Sequence, residues 1–406
     1  MTQTPTAADL LERLADIPPD SSLAAARITR DAATRHIQGS YLALFNADDG
    51  IDFSLTERLA VARQVAEWHE DNRLTAHYAG RLADPYPITA AGGSNATPGR
   101  NGLPTPETKR HSATGHAGEP TPVTGGSRLQ SALHHAERLS SHPSAATPAH
   151  LEELRRAGWG SDAIVTLSQL VAYVSFQSRL LRGYRLIAGQ PVDNPLPLPV
   201  GAAAWRTAGV THGGRAAPHA FTQRELGWEP WIAAKPLTEF TLRQQATLEH
   251  NGHADSDYFR LLACNLPVLE QRTLTDKGIF YTAGGLVRKE RELAAAVASK
   301  INGCIYCASV HARKAAQLSK QPDDIQRLLD TPPGGILSTG QSPRWQGEID
   351  FAAALSATPA AATPEHITRL RQEGLTDLEL LDLVQATAFF AWANRLMLTL
   401  GEPFEK

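Results

Sequence analysis

From Arg128 the chain reads RLQSALHHAERLSSHPSAATPAHLEELRRAGW, and 216 residues later, from Arg344, it reads RWQGEIDFAAALSATPAAATPEHITRLRQEGL. No gap is needed to lay Arg128, Pro143, Thr147, Pro148, His150, Gly158, Arg179 and Leu180 over identical residues. A second stretch, TERLAVARQVAEWHEDNRLTAHYAGRL from Thr56, lies less closely over RELAAAVASKINGCIYCASVHARKAAQL, and an offset of 234 places His77 on His311. The two offsets differ by 18 residues, which sit within ITAAGGSNATPGRNGLPTPETKRHSATGHAGEPTPVTGGS. Internal repetition means that one supersecondary unit must serve twice, so this chain is expected to be a tandem duplication.

The same segments fix the expected layout. Gly, Pro, Ser and Thr dominate residues 87–127 with almost no large apolar side chain, which predicts a disordered loop inside a first unit spanning 1–190. A Pro/Gly-rich stretch at 191–236 reads as a linker, and 237–406 as the second unit. Trp228 and Trp231 are expected to pin that linker onto the second unit. Thr363 followed by Pro364, with Gly374 downstream, predicts a capped helix with a glycine stop. Aromatic residues are 6% of the chain, the apolar content leans on Ala and Leu, and no period-two alternation is sustained. The predicted class is all-α, with two tandem helical domains.

Charge and cysteine usage narrow the function. A net charge of −3 without a Lys/Arg run lacks the footprint of a nucleic-acid or anionic-membrane partner. The N-terminal stretch has no basic start followed by an apolar run, and no apolar segment approaches membrane-spanning length. Three cysteines do not build a disulfide scaffold, so a cytoplasmic protein with reduced thiols is expected.

The chemistry concentrates in INGCIYCASVH. Asn302-Gly303 signals a break, and a fresh helix after it would hold Cys304, Cys307 and His311 within an arc of ~60° at ~100° per residue. A helix N-terminus favours a thiolate at Cys304, while His311 stands one turn past Cys307 and can relay its proton. Glu292 lies on the preceding helix, which can fold back to place a carboxylate near His311. Two thiols, an imidazole and a carboxylate suit peroxide reduction through a sulfenic acid and a disulfide.

Glu292, Cys304, Cys307 and His311 together resemble the Glu-x11-Cys-x-x-Cys-x3-His signature of the AhpD-like alkylhydroperoxidases, within the carboxymuconolactone decarboxylase superfamily. DYFRLLACNLPVLEQRTLTDKGIFY upstream and NRLMLTLG near the end look closest to its peroxidase-related branch, over about 237–402. The resemblance implies a helical bundle that acts as a thiol-dependent hydroperoxide reductase. Cys307 would attack the peroxide, Cys304 would resolve, and His311 and Glu292 would relay protons. It implies no cofactor and no metal, an unidentified thiol reductant, and a homo-oligomer, either a trimer or a dimer. Position on the helix alone favours Cys304 as the reactive thiol, so family and geometry disagree on that point. A lactone-acting decarboxylase or isomerase and a non-catalytic redox-sensing module are the rival functions.

In the first unit the 234 offset puts Glu70 and Arg73 at the cysteines and Arg58 at the carboxylate, leaving His77 alone. A structural half is expected there, with acid–base work by Glu57, Glu70 and His77 as the alternative. Tyr306 is either a hydrogen-bond donor at the site mouth or a packing residue, and Cys264 reads as core. His150 and His366 recur in matching first turns as caps or surface residues, and Arg179 and Arg395 as structural bridges.

Overall fold

The computed structural model describes residues 9–46, 48–84, 124–193, 200–202, 204–205 and 208–406. The loop expected over 87–127 lies outside the described residues, except that 124–127 open a helix. The fold is all-α with a small two-stranded sheet. The first half carries α1 (Leu10–Ala15), α2 (Ser22–Thr29), α3 (Asp31–Leu44), α4 (Leu55–Trp68), α5 (Asn72–Ala83), α6 (Thr124–Ser141), α7 (Pro148–Arg156) and α8 (Ser161–Ile187). The strand β1 (Leu226–Pro230) precedes α9 (Leu242–His250), α10 (Asp257–Leu262), α11 (Leu266–Phe280), α12 (Arg288–Ile301) and α13 (Ile305–Ser319). Then come α14 (Pro322–Asp330), α15 (Pro343–Ser356), α16 (Pro364–Gln372), α17 (Asp377–Leu400) and the strand β2 (Gly401–Glu405).

Local chemistry sets these ends. Ser54 with Glu57 and Thr376 with Glu379 form reciprocal capping boxes that start α4 and α17. The recurring histidines cap as well: the Thr147 and Thr363 amides donate to Nδ1 of His150 and His366 at 3.3 and 3.2 Å. Gly158 and Gly374 then end the matching helices α7 and α16 at φ 92° and 86°, a conformation that favours glycine.

Helices α8 and α17 are buried on nearly every side, as helices apolar all round must be, and they lie against each other at the centre. Tyr173 and Phe176 of α8 meet Trp392 of α17 at 5.1 and 5.7 Å between ring centroids. Helix α3 packs along α11. There Gly39 faces Gln271 and Gly278 faces Ala33 so closely that a Cβ on either glycine would overlap its neighbour. The α8–α17 pair therefore joins two helices that the 216-residue offset lays over each other.

Polar contacts across the seam follow the same pattern. Arg179 donates to the carbonyls of Ser356 and Ala357, while Arg395, 216 residues on, donates to that of Ser140, the counterpart of Ser356. Both guanidiniums also reach Thr358 Oγ1. Buried Asp382 takes Nε and Nη2 of Arg30 at 2.6 and 2.9 Å, Nη2 of Arg291 at 2.9 Å and the Leu286 amide at 2.9 Å.

Residues 226–231 lie on the second half. β1 pairs antiparallel with β2, Leu226 opposite Glu405 and Pro230 opposite Gly401. Trp228 donates to the Met397 carbonyl and Trp231 to Glu402 Oε1, which anchors this stretch as expected. Trp205 and Phe221 cover the Lys300 ammonium at 4.9 and 4.2 Å. Among the described residues no helix is long and apolar enough to cross a membrane.

Candidate active site

Helices α12 and α13 form an antiparallel hairpin broken at Asn302-Gly303. Gly303 takes φ 76°, and a Cβ there would come within 2.5 Å of Ser144 Cβ from the first half. Cys304 is the N-cap of α13, extended at φ −88°, and its amide closes onto the Ser299 carbonyl at 2.8 Å. The fold-back brings Glu292 to His311, with Nδ1 and Oε2 2.6 Å apart. A carboxylate accepts from Nδ1–H, which leaves the Nε2 lone pair of a neutral ring free. Arg288 Nε donates to the other Glu292 oxygen at 2.5 Å. Burial pushes the Glu292 carboxyl up, but the hydrogen bonds and charges of His311 and Arg288 outweigh it and hold the group below its ordinary value. Phe390 stands edge-on to the imidazole at 4.4 Å and Phe280 lies at 6.0 Å, fixing its plane.

The two thiols differ. Both are free, with Cys304 1% and Cys307 6% exposed. The hydrogen bond from Cys304 draws Cys307 below the ordinary thiol value against the opposing effect of burial, helped by His311, Asn394 and Arg272. Burial and the same bond push Cys304 well above it. The directions of these shifts favour Cys307, rather than the N-cap Cys304, as the more acidic thiol. Asn394 of α17 favours the thiolate form of both cysteines. It is held by the Asn302 amide and by Ser299 Oγ, each at 3.0 Å.

Cys307 and His311 line a cavity of about 510 Å³ walled by Trp228, Phe259, Phe280 and Phe390. Cys304 instead lines a second cavity of about 110 Å³, shared with Trp205, Trp231 and Ser144. Tyr306 borders both. Its hydroxyl has no hydrogen-bond partner among the described residues, so no donor role inside the protein supports it. Cys264 lies apart, its thiol pushed up to about 12 by burial and bonded to the Asp162 carbonyl. Among the described residues no group of three or more His, Cys, Asp or Glu is placed to hold a metal ion.

The first half corrects the expected register. The amides of His69, Glu70 and Asp71 close onto the carbonyls of Val65, Glu67 and Ala66, as those of Asn302, Gly303 and Cys304 close onto Ala298, Lys300 and Ser299. The true offset here is 233, one less than His77 suggested. Asp71 stands at Cys304, Leu74 at Cys307, Tyr78 at His311 and Leu59 at Glu292, while Arg58 matches Arg291. Arg58 is wholly buried on Asp49 and on the carbonyls of Leu44, Asn46 and Phe53. Asp71, at its N-cap, has its carboxyl pushed up to about 6 by burial. The acid–base alternative fails on geometry. Glu57 caps the start of α4 and Glu70 follows its end, ~20 Å away along the axis, while His77 bonds to Tyr41 at 2.8 Å.

Residues 267–332 match the family described as carboxymuconolactone decarboxylase, a span that holds Glu292, Cys304, Cys307 and His311. Among solved structures, the chain is similar to an uncharacterized peroxidase-related protein from Silicibacter sp. TM1040, at 23% identity and a TM-score of 0.35, over 42% of this chain and 92% of that one. No curated protein matches. The hairpin that carries the thiol pair thus lies wholly within the segment that matches the carboxymuconolactone decarboxylase family.

Proposed function

We propose that the protein is a thiol-dependent hydroperoxide reductase. The observation that carries this reading is the continuous line from Glu292 through His311 to the cavity that Cys307 borders, with Cys304 at the N-cap of the same helix. Cys307 thiolate attacks the terminal peroxide oxygen, the O–O bond breaks, and an alkoxide leaves and takes a proton relayed by His311. The Cys304 thiol then condenses with the Cys307 sulfenic acid, forming the disulfide and releasing water. Two thiols of an external reductant restore the pair, and their own disulfide carries away the two electrons.

The proposal includes the layout. Residues 1–190 and 237–406 are two copies of one helical unit joined by 191–236, with a single site per chain. The chains form a homo-oligomer in the cytoplasm.

The test is anaerobic. Reduced protein is mixed with one equivalent of an organic hydroperoxide and free thiols are followed with time, beside Cys307→Ser and His311→Ala. Loss of two thiols far faster than in free cysteine, abolished by Cys307→Ser and slowed about 100-fold by His311→Ala, is expected. If wild type and His311→Ala react alike and slowly, the pair is a disulfide exchanger and peroxide is not its substrate.

A further inference from the structure

Arg272 of α11 lines the same cavity as Cys307 and His311, and only 6% of it is exposed. Rings of Tyr258, Phe259, Phe389 and Trp392 surround its guanidinium at 5.2–6.0 Å. Those contacts serve the faces of the cation. Its N–H edge is not served: Nε is buried without a hydrogen-bond partner, and no ion pair or hydrogen bond to the group is made by any described residue. Asp276, one turn on and bordering the same cavity, feels the Arg272 charge but makes neither an ion pair nor a hydrogen bond with it.

Every other buried guanidinium discussed above has acceptors: Arg30 and Arg291 on Asp382, Arg58 on Asp49, Arg179 and Arg395 on carbonyls. Burying a cation without an acceptor is costly, and the deficit is met when an anion arrives. A planar guanidinium fork matches a carboxylate in both shape and charge. The remaining wall is aromatic, and the volume far exceeds what hydrogen peroxide needs.

We propose that Arg272 is the carboxylate anchor of the substrate site, and that the substrate is an organic hydroperoxide with an apolar body and a carboxylate. This rests on the hydroperoxide-reductase reading. The carboxylate lies on Arg272 and is unchanged by the reaction. The hydroperoxide end meets Cys307, which takes the terminal oxygen while the alkoxide leaves as the hydroxy acid.

The test uses two probes that differ in charge alone, para-carboxycumene hydroperoxide and its methyl ester, together with the unreactive carbinol acid. In wild type, kcat/KM for the acid should exceed that for the ester by about tenfold or more, the worth of a hydrogen bond to a charged group. Arg272→Gln should bring the ratio near one and Arg272→Lys should restore part of it. The carbinol acid should bind wild type in calorimetry and fail to bind Arg272→Gln. Equal rates for acid and ester in wild type, a comparison that needs no variant, would overturn the anchor while leaving the reductase reading intact. An equal slowing of both probes by Arg272→Gln also overturns it, because Arg272 would then serve only the Cys307 thiolate. If neither probe oxidises the thiols but the carbinol acid binds in an Arg272-dependent way, the anchor stands and the reductase reading falls.

Discussion

At the scale of single residues, the opposite shifts of Cys304 and Cys307 call for Cys304 as the donor and Cys307 as the acceptor. A thiol that gives its hydrogen to a neighbour stabilises that neighbour's thiolate and loses acidity itself. Alkylation by iodoacetamide should therefore label Cys307 with a pH midpoint below that of free cysteine, while Cys304 stays unlabelled. Asn394→Ala removes a group that favours the thiolate, so the Cys307 midpoint should rise; an unchanged midpoint would count against that role. The contact between Glu292 and His311 was legible because both residues sit on helices joined by one short break, and local spacing controls their meeting. Asn394 was not legible. It reaches the thiols from α17, and nothing in the text near Cys307 points to so distant a neighbour.

At the scale of elements, the helix ends were the most readable part of the chain. Thr363, Pro364, His366 and Gly374 each supply a specific backbone need, and α16 begins and ends where they require. Register within the repeat was less secure. A helical sequence rich in Ala and Leu tolerates a one-residue slip on paper, and a shared histidine outweighed the correct offset. The hydrogen bonds at the α4–α5 and α12–α13 breaks restore it. The β1–β2 pair escaped notice because LGWEP and GEPFE are short, contain proline and alternate weakly. Helix α17 is tied to α12 and to the α2–α3 junction through Asp382, whose partners Arg30 and Arg291 are almost wholly buried. Asp382→Ala leaves two buried guanidiniums with carbonyl acceptors but no counter-charge and should cost about 3–5 kcal/mol in a denaturant titration. A loss under 1 kcal/mol would show that water reaches the cluster.

At the scale of the whole molecule, buried histidines set the response to acid. Burial lowers His77 and His135 to about 4 and His69 well below its ordinary value. In the unfolded chain these groups titrate near ~6.5. Between that pH and about 4 the unfolded state binds protons that the folded state refuses, so stability falls as pH falls. Asp71, pushed up to about 6, and Glu348, pushed up to about 9, have the opposite sign because the folded state binds their protons first. His253, also lowered to about 4 by burial, joins the histidines, and Asp276, raised by burial, joins the carboxyls. Four histidines outweigh three carboxyls, and the urea midpoint should be lower at pH 5 than at pH 7.5. An equal or higher midpoint at pH 5 would show that the carboxyls dominate. The seam between the halves has a consequence of another kind. In an assembly of identical subunits, one codon change alters both sides of a symmetric contact at once. Here Arg179 and Arg395 are written separately, so each side of the contact can mutate alone. A change in one half can thus leave untouched the half that carries the candidate site.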